Sequence, residues 1–134
     1  MAKRSRAREV AFQVLYQDDL NPQHNPADAD AYLAEQVGDE ALIEFARSLV
    51  GGARRNRPEI DQRLNETAEN WTVDRMAATD RNILRLAAYE ILHTDVPPPV
   101  AIDEAIELAK RFGSAQSAQF VNGILDKLVP EKGT

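Results

Sequence analysis

Apolar residues recur at spacings of three and four along almost the whole chain, and no stretch alternates with period two. That pattern supplies faces for helices and none for a half-buried sheet. From Ser5 to Asp19, the set Ala7, Val10, Ala11, Val14 and Leu15 marks one face of a first helix. Asn21-Pro22 and Asn25-Pro26 end it in a loop. Asp28 to Val37 reads as a short acidic helix, and Gly38-Asp39 separates it from a longer one set by Leu42, Phe45, Ala46, Leu49 and Val50. Gly51-Gly52 near its end suits close helix approach better than a hinge. Arg57-Pro58 places a proline in the first turn of a fourth helix, which runs through Ile60 and Leu64 to Glu69.

Trp71 to Met76 forms a short connecting element, with Thr72 as an N-cap and Trp71 and Met76 as apolar plugs. Thr79 to His93 is the most apolar segment: Ile83, Leu84, Leu86, Ala87, Ala88, Ile91 and Leu92 nearly encircle it, as expected of a central helix. Asp80 near its start opposes the helix dipole. Thr94 to Pro99 is expected to be a stiff extended connector, because proline disfavours helix in its predecessor. Ile102, Ala105, Ile106, Ala109 and Phe112 make the next buried stripe, stopped by Gly113. Ser114 is expected to cap a last helix facing inward through Phe120 or Val121, Ile124, Leu125 and Leu128. The fold class is all-α, with about seven helices in a bundle-type domain.

Several function classes fall away at once. The 134 residues suit one domain, and without cysteine there is no disulfide, thiolate metal site or cysteine nucleophile. The basic start is not followed by a long apolar segment, and the run from Ile83 to Ile91 is broken by Arg85 and Glu90. A membrane span is therefore not expected, and a cytoplasmic location is. His24 and His93 lie in a loop and at a helix end, which suits capping better than catalysis. Asp103, Glu104 and Glu107 start a helix, where acids favour the dipole, so they read as a solvated face rather than a metal site. No phosphate loop, dinucleotide fingerprint or nucleophile elbow is present. No catalytic residue, metal or cofactor is expected.

Charge points toward binding. The net charge is −6, which by itself disfavours general affinity for nucleic acid. Yet Lys3, Arg4, Arg6 and Arg8 against Glu9 give the first ten residues +3, while Asp28 to Glu44 holds six acids and no base. Arg8, Phe12 and Tyr16 are spaced by four, so the basic end continues into an aromatic stripe. The stripe either widens the core or offers arginines to phosphates and a ring to an unpaired base. Gly113 to Phe120 is a second candidate, a helix start rich in small polar side chains that suits a phosphate or simply an N-cap.

Arg6-Ala7-Arg8-Glu9 followed by Gln13-Val14-Leu15-Tyr16 resembles the start of the bacterial NusB transcription antitermination family. The resemblance continues through Asp80 to Leu92, Asp95-Val96-Pro97, Val100 to Lys110 and Phe120 to Asp126, nearly the whole chain. It implies a single 1–134 domain of seven helices, with an N-terminal subdomain over about 1–70 and a C-terminal one over about 71–130. It implies a non-enzymatic role: binding boxA RNA of ribosomal RNA leaders with NusE, the small-subunit ribosomal protein, within the RNA polymerase antitermination complex. By position, Lys3, Arg4, Arg6, Arg8, Arg85, Phe112, Gln116, Gln119 and Phe120 would face RNA, and Tyr16 and Asp80 would face NusE. Gln116 and Gln119 stand where relatives often carry charge, which implies a weaker or different grip on RNA along that edge. Two other readings stay open: a helical protein-interaction adaptor, and the RNA-binding domain of a ribosomal RNA cytosine methyltransferase, whose catalytic cysteine this sequence lacks. A monomer and a homodimer that covers the basic helix are both compatible with the sequence.

Overall fold

The computed structural model describes residues 3–133, and among them every regular element is helical. The order is α1 (Lys3–Leu20), α2 (Pro26–Val37), α3 (Glu40–Arg55), α4 (Arg57–Thr67), a 3₁₀ turn (Val73–Arg75), α5 (Ala78–His93), α6 (Pro98–Phe112) and α7 (Ser117–Gly133). The expected class and number of helices therefore hold. α5 is the hub, packing against α1, α3, α4, α6 and α7, and its Ile83, Leu84, Leu86, Ala88 and Ile91 are buried. A helix whose apolar residues nearly encircle it is stable in water only when neighbours surround it in this way.

The helix ends follow local chemistry. Asn25 and Asp39 cap α2 and α3 by accepting from the backbone N–H of Ala27 and Leu42. Gly38 sits at φ 82°, a left-handed conformation that lets α2 stop and the chain turn into α3. The Gly51-Gly52 pair lies within α3, and a Cβ on Gly52 would overlap the Tyr89 ring of α5. It is a point of close approach, as its sequence suggested, and not a hinge.

Four local expectations are corrected. The connector after α5 ends at Pro97, because Pro98 and Pro99 occupy the first positions of α6, where an absent N–H costs nothing. α7 starts at Ser117 rather than after Ser114, and the Ser117 Oγ accepts from the Ser114 N–H at 2.9 Å. Thr72 makes no backbone cap, and its hydroxyl is bonded to Asp74 instead. Met76 is buried as expected, but Trp71 is 47% exposed and plugs nothing.

Asp103 and Glu107 are exposed, as a solvated face requires, but two ionisable groups differ from expectation. Glu104 accepts from Ser5 and Arg8 and belongs to an internal network, not to a solvated face. His93 pairs with Glu59 at 2.8 Å and stacks on Tyr89, rather than serving the free carbonyls of α5. No helix among the described residues is long and apolar enough to cross a membrane.

Candidate nucleic-acid interface

The basic start of the chain is the first turns of α1, so its side chains are held in register by the helix. Lys3 and Arg4 are exposed, and the Arg4 guanidinium lies 4.4 Å from the centroid of the Phe45 ring. Arg6 donates to Glu9 at 2.8 Å and to Gln36 at 2.9 Å. Glu9 is nearly buried, and its second oxygen pairs with Arg111 at the end of α6. One buried carboxylate thus aligns two arginines from opposite ends of the sequence along a single edge. Arg111 also lies 5.0 Å from the Phe112 ring centroid, and Lys110 beside it is exposed. Both bases fall in the last turn of α6, where positive charge favours the dipole. Sequence reasoning missed Lys110 and Arg111 as part of this edge. The signal was a basic pair directly before an exposed aromatic residue.

Phe112 continues the edge into aromatic surface. Its ring contacts Phe12 at 5.4 Å, and Phe12 contacts Tyr16 at 6.0 Å, both tilted. Phe12 is buried, so that part of the stripe belongs to the core. Tyr16 and Phe112 remain at the surface and line a groove of about 660 Å³ with Tyr32 and Thr79.

Arg8 and Arg85, expected to face RNA, do not reach the surface. Arg8 makes a bidentate contact with Glu90, at 2.9 Å from both Nε and Nη2, and a third bond to Glu104 at 3.1 Å. Arg85 grips Asp61 at 2.8 and 3.0 Å and reaches Asp19 and Asn82. Both guanidinium groups are buried and spend their donors on internal acceptors. Removing Arg8 would leave the buried Glu90 carboxylate uncompensated, and removing Arg85 would take both of its bonds from Asp61, so the two arginines tie α1 and α4 to α5.

Asp19 carries further load in this core-edge network, accepting from Arg81 and Asn82 as well. Burial pushes its carboxyl up, but bonds from Arg81 and Asn82 and the charges of Arg81 and Arg85 outweigh that and hold it below the ordinary aspartate value. Asp18 behaves alike: burial raises it, while Arg54 and His24 together bring it below the usual range.

The remaining expected residues cluster around the start of α7. Asp80, Gln116 and Phe120 line one hollow of about 280 Å³, and Gln119 and Phe120 line another of about 230 Å³. One Asp80 oxygen is buried without a hydrogen-bond partner among the described residues. Thr79 lies in the groove beside Tyr16 and the next residue, Asp80, lies in the hollow beside Gln116. The groove and the hollow therefore adjoin at the start of α5. Among the described residues no group of three or more His, Cys, Asp or Glu is placed to hold a metal.

The model of the NusB family matches residues 5–130. The transcription antitermination protein NusB of Anaeromyxobacter sp. (strain Fw109-5) is 46% identical over 127 residues, covering 94% of this chain and 89% of that protein. The corresponding protein of Symbiobacterium thermophilum is 47% identical over 135 residues, covering 94% and 88%. Among solved structures, T. maritima NusB superposes with a TM-score of 0.83 at 38% identity, over 98% of this chain and 92% of that one. A crystal structure of antitermination factors NusB and NusE in complex with dsRNA gives 0.85 at 30% identity, over 98% of both chains. With a family match along nearly its full length, relatives this similar and the same seven-helix architecture, the chain belongs to the NusB family.

Proposed function

We propose that this chain is a non-enzymatic transcription antitermination factor that binds the boxA RNA of ribosomal RNA leaders together with NusE. The complex then joins elongating RNA polymerase and favours complete ribosomal transcripts. The observation that carries this reading is the edge built by Arg6, Glu9 and Arg111 beside Phe112, a basic and aromatic strip on a chain of net charge −6. Cations there meet phosphates, and the exposed ring meets an unpaired base. Support comes from the similar protein solved with NusE and dsRNA.

The RNA surface is Lys3, Arg4, Arg6 and Phe112, extended by Lys110 and Arg111 and continued through Gln116, Gln119 and Phe120. Tyr16 and Asp80 face NusE. So small a basic strip on an acidic body binds RNA weakly alone, and a basic ribosomal protein docked beside it enlarges the positive surface. The acidic excess favours such a partner. Segments 1–70 and 71–130 act as subdomains joined along α5. A homodimer covering α1 would hide the RNA surface, and the site of action is the cytoplasm.

Fluorescence anisotropy with labelled boxA RNA and a scrambled control, with and without NusE, tests this reading. Selective binding that tightens with NusE is expected. Equal affinity for both RNAs, or no binding with NusE present, would leave the helical adaptor as the better account.

A further inference from the structure

Trp71 is the most conspicuous residue that the family's expected surface leaves unused. It stands in the segment between α4 and the 3₁₀ turn, 47% exposed, with its ring edge-on to Phe120 of α7 at 6.1 Å. The indole forms a wall of both hollows described above, so the Trp71–Phe120 pair divides them. On the Asp80 side Arg75 is exposed, with no ion pair among the described residues. On the other side lie Gln119, Gly123 and Lys127, spaced by four along one face of α7. Lys127 pairs with Glu69 at 3.4 Å, but both side chains are more than half exposed, so this bond holds the ammonium only weakly.

Gly123 gives the second observation. It lies inside α7, where glycine is disfavoured against alanine, yet a Cβ there would meet no atom within 4 Å. No neighbouring helix requires the glycine. Its effect is to leave open the floor of a hollow beside an exposed indole.

We infer that this hollow is an additional base-binding subsite, in which one unpaired nucleobase stacks on Trp71 over Gly123. This rests on the RNA-binding reading above and extends that surface past Phe120. The amides of Gln119 and Asn70 reach the base edge, and Lys127 meets the adjoining phosphate. An RNA strand fits this site better than an apolar peptide, because its rim is polar, formed by the Asn70 and Gln119 amides and the exposed Lys127–Glu69 pair, and it shares Phe120 with the hollow beside Gln116. Stacking of this kind tolerates any base, since each presents a π-face.

The test uses the chain with NusE and boxA RNA, comparing wild type with Trp71→Ala, Trp71→Phe and Gly123→Ala. Trp71→Ala is expected to weaken RNA binding about five- to 150-fold, with Trp71→Phe retaining most of the affinity. Gly123→Ala is expected to weaken RNA binding while its thermal midpoint is unchanged or higher, since the new methyl group fills only the hollow. Trp71 is the sole tryptophan, so the wild-type complex minus the Trp71→Phe complex isolates its emission, which RNA should quench. Wild-type RNA affinity in folded Trp71→Ala and Gly123→Ala, or unquenched emission, would overturn the subsite and leave the antitermination reading standing. Loss of NusE affinity without RNA would assign the hollow to a protein side chain and likewise overturn it. If wild type fails to bind boxA RNA with NusE, both readings fall together.

Discussion

Arg8 Nε lies 2.9 Å from Glu90 Oε1, and the two side chains are only 4% and 2% exposed. The pair joins α1 to α5 across 82 residues of sequence. Removing one member strands the other as a buried charge, which costs about 3–5 kcal/mol. Arg8→Ala is therefore expected to lower stability by that order in urea denaturation, and Arg8→Met/Glu90→Leu to recover much of it. An Arg8→Ala protein of wild-type stability would show that the pair is not holding the helices together.

Tyr89 and Gly52 set a second close contact, between α5 and α3. A methyl group on Gly52 would overlap the Tyr89 ring, which also stacks on His93. Overpacking of a fitted contact costs roughly 1–3 kcal/mol. Gly52→Ala should lower the thermal midpoint, and Gly52→Ala/Tyr89→Leu, which clears the space, should restore part of it. Calorimetry of both variants decides the matter.

The acid limb of stability follows from Asp18 and Asp19. Burial pushes each carboxyl up, but hydrogen bonds and nearby positive charge hold both below the value they take when unfolded. The fold thus favours their ionised form. Their contribution is fully present above the unfolded pKa of about 3.9 and disappears as pH falls through the lower folded values. The thermal midpoint should vary little on this account between pH 7 and 5 and fall below about pH 4. Asp18→Asn should remove part of that fall, measured as the change in midpoint between pH 5 and pH 3.

How much of this was legible in the sequence depends on the distance over which each feature is decided. The helices were, because Val10, Val14, Leu84, Ile91 and Leu125 mark their faces through spacing alone. Helix starts were less so: Pro98 and Pro99 read as breakers, yet at the first positions of a helix they break nothing. Trp71 read as a plug because large apolar residues usually are, and only the neighbouring elements show that no cavity receives it. The fates of Arg8 and Arg85 were beyond local pattern. Arg8 looks like its neighbours Arg4 and Arg6, and the difference lies in Glu90 and Glu104, far along the chain. Arg111 was overlooked for the converse reason, since its link to Arg6 passes through Glu9 at the other end of the sequence.

Salt dependence separates the basic edge from the buried arginines. On a single strand, each phosphate that no longer meets a cation should reduce the slope of log affinity against log salt by about 0.7. Arg4→Ala/Arg6→Ala should therefore flatten the slope by about 1.4 while the helices stay folded, because both side chains lie at the surface.

The central claim is that this edge of α1 and α6 is the RNA surface. Its most direct test is anisotropy of labelled boxA RNA with NusE at two salt concentrations. It compares wild type with Arg4→Ala/Arg6→Ala and Lys110→Ala/Arg111→Ala, each shown to be folded by circular dichroism. Weaker binding with a shallower salt slope in both double variants, and unchanged NusE affinity without RNA, is the expected result. Wild-type affinity and slope in both would contradict the account and place the RNA elsewhere on the molecule.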